Sequence, residues 1–275
     1  MDNFFIDLVT NVQNALAEDI GSGDINVELL AKEIITAQLI SREPAILCGI
    51  AWFEETFRQL DNKVKIDWLV KDTDNIKPDQ CLCKITGTTQ TLLTGERTAI
   101  NFLQLLSATA TETKLYVNAI ADTNTRILDT RKTIPGLRRA QKYAVHCGGG
   151  TNHRMGLYDA FLLKENHIAA AGSITQAVMA ARNHVPDLPI EVEVETLEQV
   201  KEALDIKAER LLLDNFELDK LYQAVDMVQK QVELEASGGI TLNNIHAIAK
   251  TGVDFISIGA ITKNIQAIDF SMRVI

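Results

Sequence analysis

The sequence predicts an α/β protein in two parts: a mixed helix-and-strand, sandwich-like region at the N-terminus and an incomplete (β/α) barrel after it. Three observations carry this. Up to roughly residue 95, one amphipathic helix and several alternating runs follow each other without a repeating order. Beyond the long helical run that follows, short apolar segments alternate with helical ones, the signature of parallel strands joined by helices. Lys164, Glu195, Asp214, Ser237 and Gly259 then close successive strands at separations of 31, 19, 23 and 22 residues.

The elements read in order as follows. "FFIDLVTNVQNALAEDI" has the apolar spacing of an amphipathic helix and is stopped by "GSGD". "TAQLISREPAILCGI" alternates and breaks at Pro44, as a strand and turn would. "VKIDWLV" and "CLCKITGTTQTLL" are further strands, separated by the turn-like "DTDNIKPDQ". A helix over about residues 95–121 leads out of the first domain. "RILDT", "DAFLLK", "IEVEVE", "RLLLD", "VELEAS" and "DFISIG" are the barrel strands, six where a complete barrel has eight. This places a first domain at 1–115, with the C-terminal tail free to pack back on it, and a barrel-like domain at 116–275.

Composition bounds the function. Net charge is −10, with 46% hydrophobic and 23% charged residues, ordinary for a globular protein and unfavourable for general nucleic-acid binding. No apolar run has the length of a membrane helix, and the N-terminal segment carries acids where a signal peptide carries bases, so a cytoplasmic protein is expected. The four cysteines show neither zinc-ligand spacing nor a disulfide framework. Against this acidic background, residues 126–154 hold seven Arg/Lys and one acid, Asp129. Local cations in an acidic protein imply a pocket for a small anion.

Ligand-handling residues of a parallel barrel sit at the C-terminal ends of its strands. Here those ends carry Arg131 and Lys132, Lys164, Glu195, Asp214, Ser237-Gly238-Gly239, and Gly259. In "IEVEVE" and "VELEAS" the period of two puts Glu191, Glu193 and Glu195, and Glu233, Glu235 and Ser237, opposite the apolar residues. If the apolar face meets the helices, the carboxylates point into the barrel and need cations as partners, for which Arg131, Lys132 and Lys164 are the candidates. Taken singly, each feature has a plainer reading: a solvated strand-end lysine, an exposed edge strand, a histidine bonded to a loop carbonyl. "CGGG" is not a dinucleotide fingerprint and no phosphate-binding P-loop occurs, but "SGG" and "IGA" at the last strand ends suit a phosphate. Arg and Lys with strand-end acids and glycine turns fit a substrate bearing carboxylate or phosphate groups and sugar hydroxyls, with Glu195 and Asp214 able to hold a hydrated Mg²⁺.

Over essentially the whole chain these residues resemble the quinolinate phosphoribosyltransferase family. The resemblance rests on "ALAEDIGSGDI", "GERTAINFLQLLS", "LDTRKTIPGLRRAQKYAVHCGGGTNHRMGLYDAFLLKENHI", "EVEVE", "LLLDNF", "ASGGI" and "ISIGAIT"; "GDINVELL" departs from it in lacking the threonines expected after "GDI". It implies an N-terminal α/β domain joined to an incomplete barrel. The implied reaction is transfer of a phosphoribosyl group from phosphoribosyl pyrophosphate to quinolinate, with decarboxylation, Mg²⁺ dependence and nicotinate mononucleotide as product. It implies a homodimer in which Arg97 of "GERTA" reaches the neighbouring subunit's site. Arg131, Lys132, His153, Arg154 and Lys164 would line the quinolinate site. Glu195 and Asp214 would face ribose hydroxyls and metal, and Ser237, Gly238, Gly239 and Gly259 the phosphate; Lys132, Lys164, Glu195 and Asp214 form the implied catalytic set.

Three rivals differ in testable ways. A same-fold relative would accept another acid. A Schiff-base lyase would use Lys164 or Lys132 as its amine, leaving the arginines surplus. A non-catalytic anion-binding protein would have no use for Glu195 and Asp214 together.

Overall fold

The computed structural model describes residues 4–275. In chain order its first elements are helix α1 (Leu8–Ile20), strands β1 (Ile34–Ser41) and β2 (Ala45–Ile46), helix α2 (Ile50–Leu60), strands β3 (Lys65–Trp68), β4 (Asn75–Ile76) and β5 (Cys81–Thr88), and helix α3 (Thr89–Ala119). Next come β6 (Arg126–Leu128), α4 (Arg138–Cys147), β7 (Phe161–Leu163), α5 (Glu165–Ala171), α6 (Ile174–His184), β8 (Ile190–Val194) and α7 (Leu197–Asp205). The chain ends with β9 (Arg210–Asp214), α8 (Leu218–Val228), β10 (Glu233–Ser237), α9 (Ile245–Lys250), β11 (Phe255–Ser257), α10 (Ala260–Lys263) and β12 (Phe270–Val274). Two compact units emerge: residues 4–114 with Thr133–Gly149 and Ala260–Ile275, and Leu115–Lys132 with Gly150–Gly259.

The first unit is built on an antiparallel sheet of order β12-β1-β5-β3. β1 is central, with Ala37 opposite Ile85 of β5 on one side and Val274 of β12 on the other. Its buried Ala37 and Leu39 join Leu82 and Ile85 of β5 in a core with Phe53 and Phe57 of α2 and with Ile100 and Leu103 of α3. Burying a side chain such as Phe53 contributes about 1.5–3 kcal/mol. α3 has a second apolar face, where Phe102 and Leu106 pack with Val12 and Leu16 of α1, Trp52 of α2 and Ala140 and Ala144 of α4.

Two segments thus leave the sequence-predicted domain 116–275 for the first unit. One is the C-terminal tail, through β12. The other is Thr133–Gly149: the apolar stripe of α4 would read the same on a barrel helix, and only its partners place it in the first unit. Three of the cations counted with the anion pocket go with it. Arg139 pairs with Asp7 at 3.2 Å, Arg138 Nε donates to Thr133 Oγ1 at 3.1 Å, and Lys142 is fully buried.

The second unit is a parallel sheet of six strands in the order β6-β11-β10-β9-β8-β7. This is the cyclic order of a barrel with one pairing missing, between β6 and β7; at that side of β6, Thr151 bridges Leu128 in parallel. The incomplete barrel follows from strand–helix alternation, with helix starts fixed by caps. Ser173 Oγ accepts from Gln176 N at 3.1 Å before α6, and Thr196 with Gln199 forms a capping box before α7. Val192 and Val194 on β8, and Leu211 and Leu213 on β9, are fully buried, as a strand covered by helices requires. Among the described residues no helix is long and apolar enough to cross a membrane.

Phe270, 6% exposed, anchors β12 in the first unit's core. Phe270→Ala is expected to lower unfolding free energy by about 3–5 kcal/mol in urea titration; a loss under about 1 kcal/mol would show that the tail is not part of that core.

Candidate active site

The C-terminal strand ends of the second unit gather the residues singled out above. Lys164 follows β7, caps α5, and is ion-paired with Glu193 on the neighbouring β8. Its backbone N–H donates to His167 Nδ1 at 3.0 Å, which fixes the turn from strand to helix. Asp214 ends β9, and its carboxylate accepts from Asn215 Nδ2 at 2.8 Å. Burial, followed by the negative charge of Glu193, raises the Asp214 pKa above the ordinary carboxylate value, while Lys164, Asn215 and Lys132 oppose the rise. Glu193, Lys164, Asp214 and Lys132 therefore act on one another as a single charged group of alternating sign.

Glu195 does not join it. β8 stops at Val194, and Glu195 is exposed, with its backbone N–H bonded to Gln199 Oε1 at 2.7 Å as part of the start of α7. The strand-end acid beside Lys164 and Asp214 is Glu193. Alternation puts Glu193 and Glu195 on the same face, but the sheet ends between them. Glu233 also departs from the expectation of an inward carboxylate: it opens β10 at the opposite end, half exposed, and takes two hydrogen bonds from Arg210 at 3.1 and 2.6 Å.

Next to Asp214 the backbone turns sharply. Asp214 and Ser237 are register partners, and Asn215 N donates to Ser237 O at 2.9 Å, extending the pairing past the strand ends. Gly238 follows at φ +96°, a conformation strained for any other residue, and a Cβ there would stand 2.1 Å from Asn215 Oδ1 and push that side chain off Asp214. Ser237, Gly238 and Gly239 thus present an open turn beside Asp214, with Gly238 and Gly239 exposed. Lys132 runs across Gly259, where a Cβ would lie 2.9 Å from Lys132 Cδ. The missing side chain lets the lysine stem lie along the end of β11.

The cations after β6 are held from below. Asp129 is fully buried and accepts from Asn152 Nδ2 at 2.6 Å and from His153 N at 2.9 Å, which ties residues 151–154 to the end of β6. Arg154 donates through Nη1 to Ala160 O at 3.0 Å. Its charge is disfavoured by burial first and by the neighbouring Arg131 second, and favoured by Glu191 and Asp159. Two guanidinium groups acting on each other in a half-buried place make a site that an anion stabilises.

His153 is placed differently from a ligand-gripping residue. Its side chain is 9% exposed, Nδ1 accepts Arg154 N–H at 2.8 Å, and Nε2 lies 2.8 Å from Glu191 Oε2. The first contact leaves Nδ1 without a proton, so Nε2 carries it and donates to Glu191. The partners of Glu191 and Glu235 are accordingly His153 and Arg210, the latter 3.7 Å from Glu235, rather than Arg131, Lys132 or Lys164. Arg210 opens β9, so a signal confined to the C-terminal ends of strands does not single it out. Arg97 lies in the first unit, exposed on α3.

Two clusters bring three potential metal donors within 4.8 Å of one another: His153, Glu191 and Glu235, and Cys48, Asp72 and Cys147. In each, one member is already committed to protein atoms. Both ring nitrogens of His153 are engaged, and Asp72 accepts from Gly49 N, Ile50 N and Tyr143 Oη at 3.0, 3.2 and 2.8 Å. Asp214 is a half-buried carboxylate beside the negative charge of Glu193, an arrangement that could hold a divalent cation.

Comparison with known proteins gives the family. Residues 24–107 match the quinolinate phosphoribosyl transferase N-terminal domain and residues 109–273 its C-terminal domain. The chain is 47% identical to a solved nicotinate-nucleotide pyrophosphorylase from Francisella tularensis, covering 100% of both chains with a TM-score of 0.97. It is 39% identical to the nicotinate-nucleotide pyrophosphorylase (carboxylating) of Mycobacterium leprae, over 95% of each protein. A Synechocystis protein named as a probable enzyme of the same kind is 42% identical over 96% of this chain and 91% of that protein. The chain belongs to the quinolinate phosphoribosyltransferase family.

Proposed function

We propose that the protein transfers the phosphoribosyl group of phosphoribosyl pyrophosphate to the ring nitrogen of quinolinate and releases the 2-carboxylate, giving nicotinate mononucleotide, pyrophosphate and CO₂ in NAD biosynthesis. The observation that carries this reading is the arrangement of fixed charge at one set of strand ends. Arg131 and Arg154 act on each other on one side, and Lys164, Glu193, Asp214 and Lys132 form an alternating group on the other. The first pair suits a planar dicarboxylate, which arginine can grip in bidentate fashion. The second suits a ribose bearing hydroxyls and a diphosphate.

The chemistry asks little of any single side chain. As the diphosphate leaves, positive charge develops on the ribosyl centre, and Glu193 and Asp214 supply negative charge nearby, already oriented by Lys164 and Asn215. Mg²⁺ held through water by Asp214 would neutralise the departing diphosphate. The exposed turn at Ser237, Gly238 and Gly239 would receive a phosphate through its backbone. After transfer the ring nitrogen is cationic and draws the electrons of the breaking carbon–carboxylate bond, so no covalent nucleophile is required. A Schiff-base reaction at Lys164 is disfavoured because that amine is committed to Glu193 as an ion pair, whereas an imine-forming amine needs its lone pair. Exposed Arg97 on α3 would complete the site of a second subunit in a homodimer, and the reaction would run in the cytoplasm.

With phosphoribosyl pyrophosphate, Mg²⁺ and carboxyl-labelled quinolinate, equal amounts of labelled CO₂ and nicotinate mononucleotide are expected, and no mononucleotide from nicotinate. Product from nicotinate without CO₂ would assign the site to another acid. Arg154→Ala and Lys164→Ala should each raise KM for quinolinate by about tenfold or more and that for phosphoribosyl pyrophosphate by less; equal losses would reject the division of the site. Arg97→Ala should be inactive but folded, and mixing it with Lys164→Ala should restore part of the turnover. No recovery, with hybrid dimers shown to form, would count against a shared site.

A further inference from the structure

Beneath His153 two carboxylates meet inside the barrel. Glu235 of β10 is 0% exposed and Glu191 of β8 is 6% exposed. His153 Nε2 is 2.8 Å from Glu191 Oε2 and 3.5 Å from Glu235 Oε2. A carboxylate oxygen of each acid lies within 4.8 Å of the other; the Ser257 hydroxyl faces Glu235, yet neither oxygen of Glu235 nor Oε1 of Glu191 has a donor in good hydrogen-bond geometry. This arrangement leaves buried oxygens without a donor unless one of the acids carries a proton. Arg210 of β9 does not remove the need, since its guanidinium is 3.7 Å from Glu235 and hydrogen-bonded to Glu233.

Two anions in contact away from water cannot both be ionised, so the pair binds one proton between them. Glu191 faces the Nε2–H of His153 and is the one that keeps its charge. Glu235 lies farther from that N–H, at 3.5 Å, with the neutral Ser257 hydroxyl as its other facing donor. Its pKa is pushed up to about 8, by burial first and by the Glu191 charge second.

We propose that Glu235 is a positioning residue that works as a neutral acid, donating its proton to Glu191 so that a single negative charge stands beneath the acceptor-acid pocket. That charge orients His153 and offsets the crowded cation of Arg154, which Glu191 favours. With no charge there, His153 would lose its acceptor. With two, the added negative charge would oppose a dicarboxylate. The groups facing Glu235 are Glu191 from β8, His153 from the segment after β6, Arg210 from β9 and Ser257 from β11; Glu191 is further faced by Arg154 and Glu193. The proposal rests on quinolinate as the acceptor.

The test compares kcat/KM for quinolinate across pH in the wild-type protein and in Glu235→Gln, whose amide cannot ionise. The ratio of variant to wild type should rise about tenfold from about pH 7 to about pH 9, with no such trend in KM for phosphoribosyl pyrophosphate. Glu191→Gln should raise KM for quinolinate about tenfold or more throughout. A ratio for Glu235→Gln that stays flat with pH overturns the proposal. A second measurement needs neither substrate nor a folded variant. In wild-type protein with ¹³C-labelled glutamate carboxyls, one resonance should titrate well above the ordinary carboxylate range, and spectra in which every glutamate titrates within that range overturn the proposal whatever the turnover. Because no substrate is present, this outcome is separate from the fate of the functional reading.

Discussion

A charge inside a barrel has to be paired, and that requirement organises the second unit. The Lys164–Glu193 pair is its clearest instance, joining the end of β7 to β8 at the mouth of the sheet. Without Glu193, Lys164 would be a half-exposed lysine free to extend into solvent. With it, an ammonium group stands at a fixed place beside Asp214 before any substrate arrives. Half-buried pairs of this kind add little stability, since desolvation offsets much of the attraction. Their consequence here is geometric.

The same requirement explains the layer below. Asp129, Glu191 and Glu235 lie within the barrel, and each is tied to the segment that carries His153 and Arg154, either by hydrogen bonds or by close contact with the imidazole. His153 spends both ring nitrogens on protein atoms. Its ring accepts from the backbone N–H of Arg154 on one side and donates to Glu191 on the other, so it links the two. At the far end of the strands, Arg126 and Arg210 lie over the Phe255 ring at 4.3 and 4.2 Å, closing the barrel floor with cation–π contacts.

Much of this was legible in the sequence. Period-two alternation in "IEVEVE" and "VELEAS" identified which face carries the carboxylates, because a strand turns successive side chains to opposite faces whatever surrounds it. Strand–helix alternation fixed the parallel sheet and its six strands. What the sequence could not show depends on partners distant along the chain. Alternation cannot say where a sheet stops, so Glu195 seemed as good as Glu193. An amphipathic stripe does not name the surface it packs on, so a range of 116–275 for the barrel takes in α4, which lies in the first unit. Arg138, Arg139 and Lys142 went with it, which is why counting basic residues overstated the pocket. Cys48 and Cys147, isolated in sequence, stand close together around Asp72.

The central claim is that the site binds its acid with charges fixed in advance by carboxylates inside the barrel, and the Lys164–Glu193 pair tests it most directly. A double-mutant cycle on quinolinate affinity, using Lys164→Met and Glu193→Gln, measures whether the two act as one group. Glu193→Gln should weaken binding in the wild-type background and have almost no effect once Lys164 is gone, with a coupling of about 1 kcal/mol or more. Additive losses would mean that Lys164 meets the acid without help from Glu193, and that the pocket is not held in place as argued.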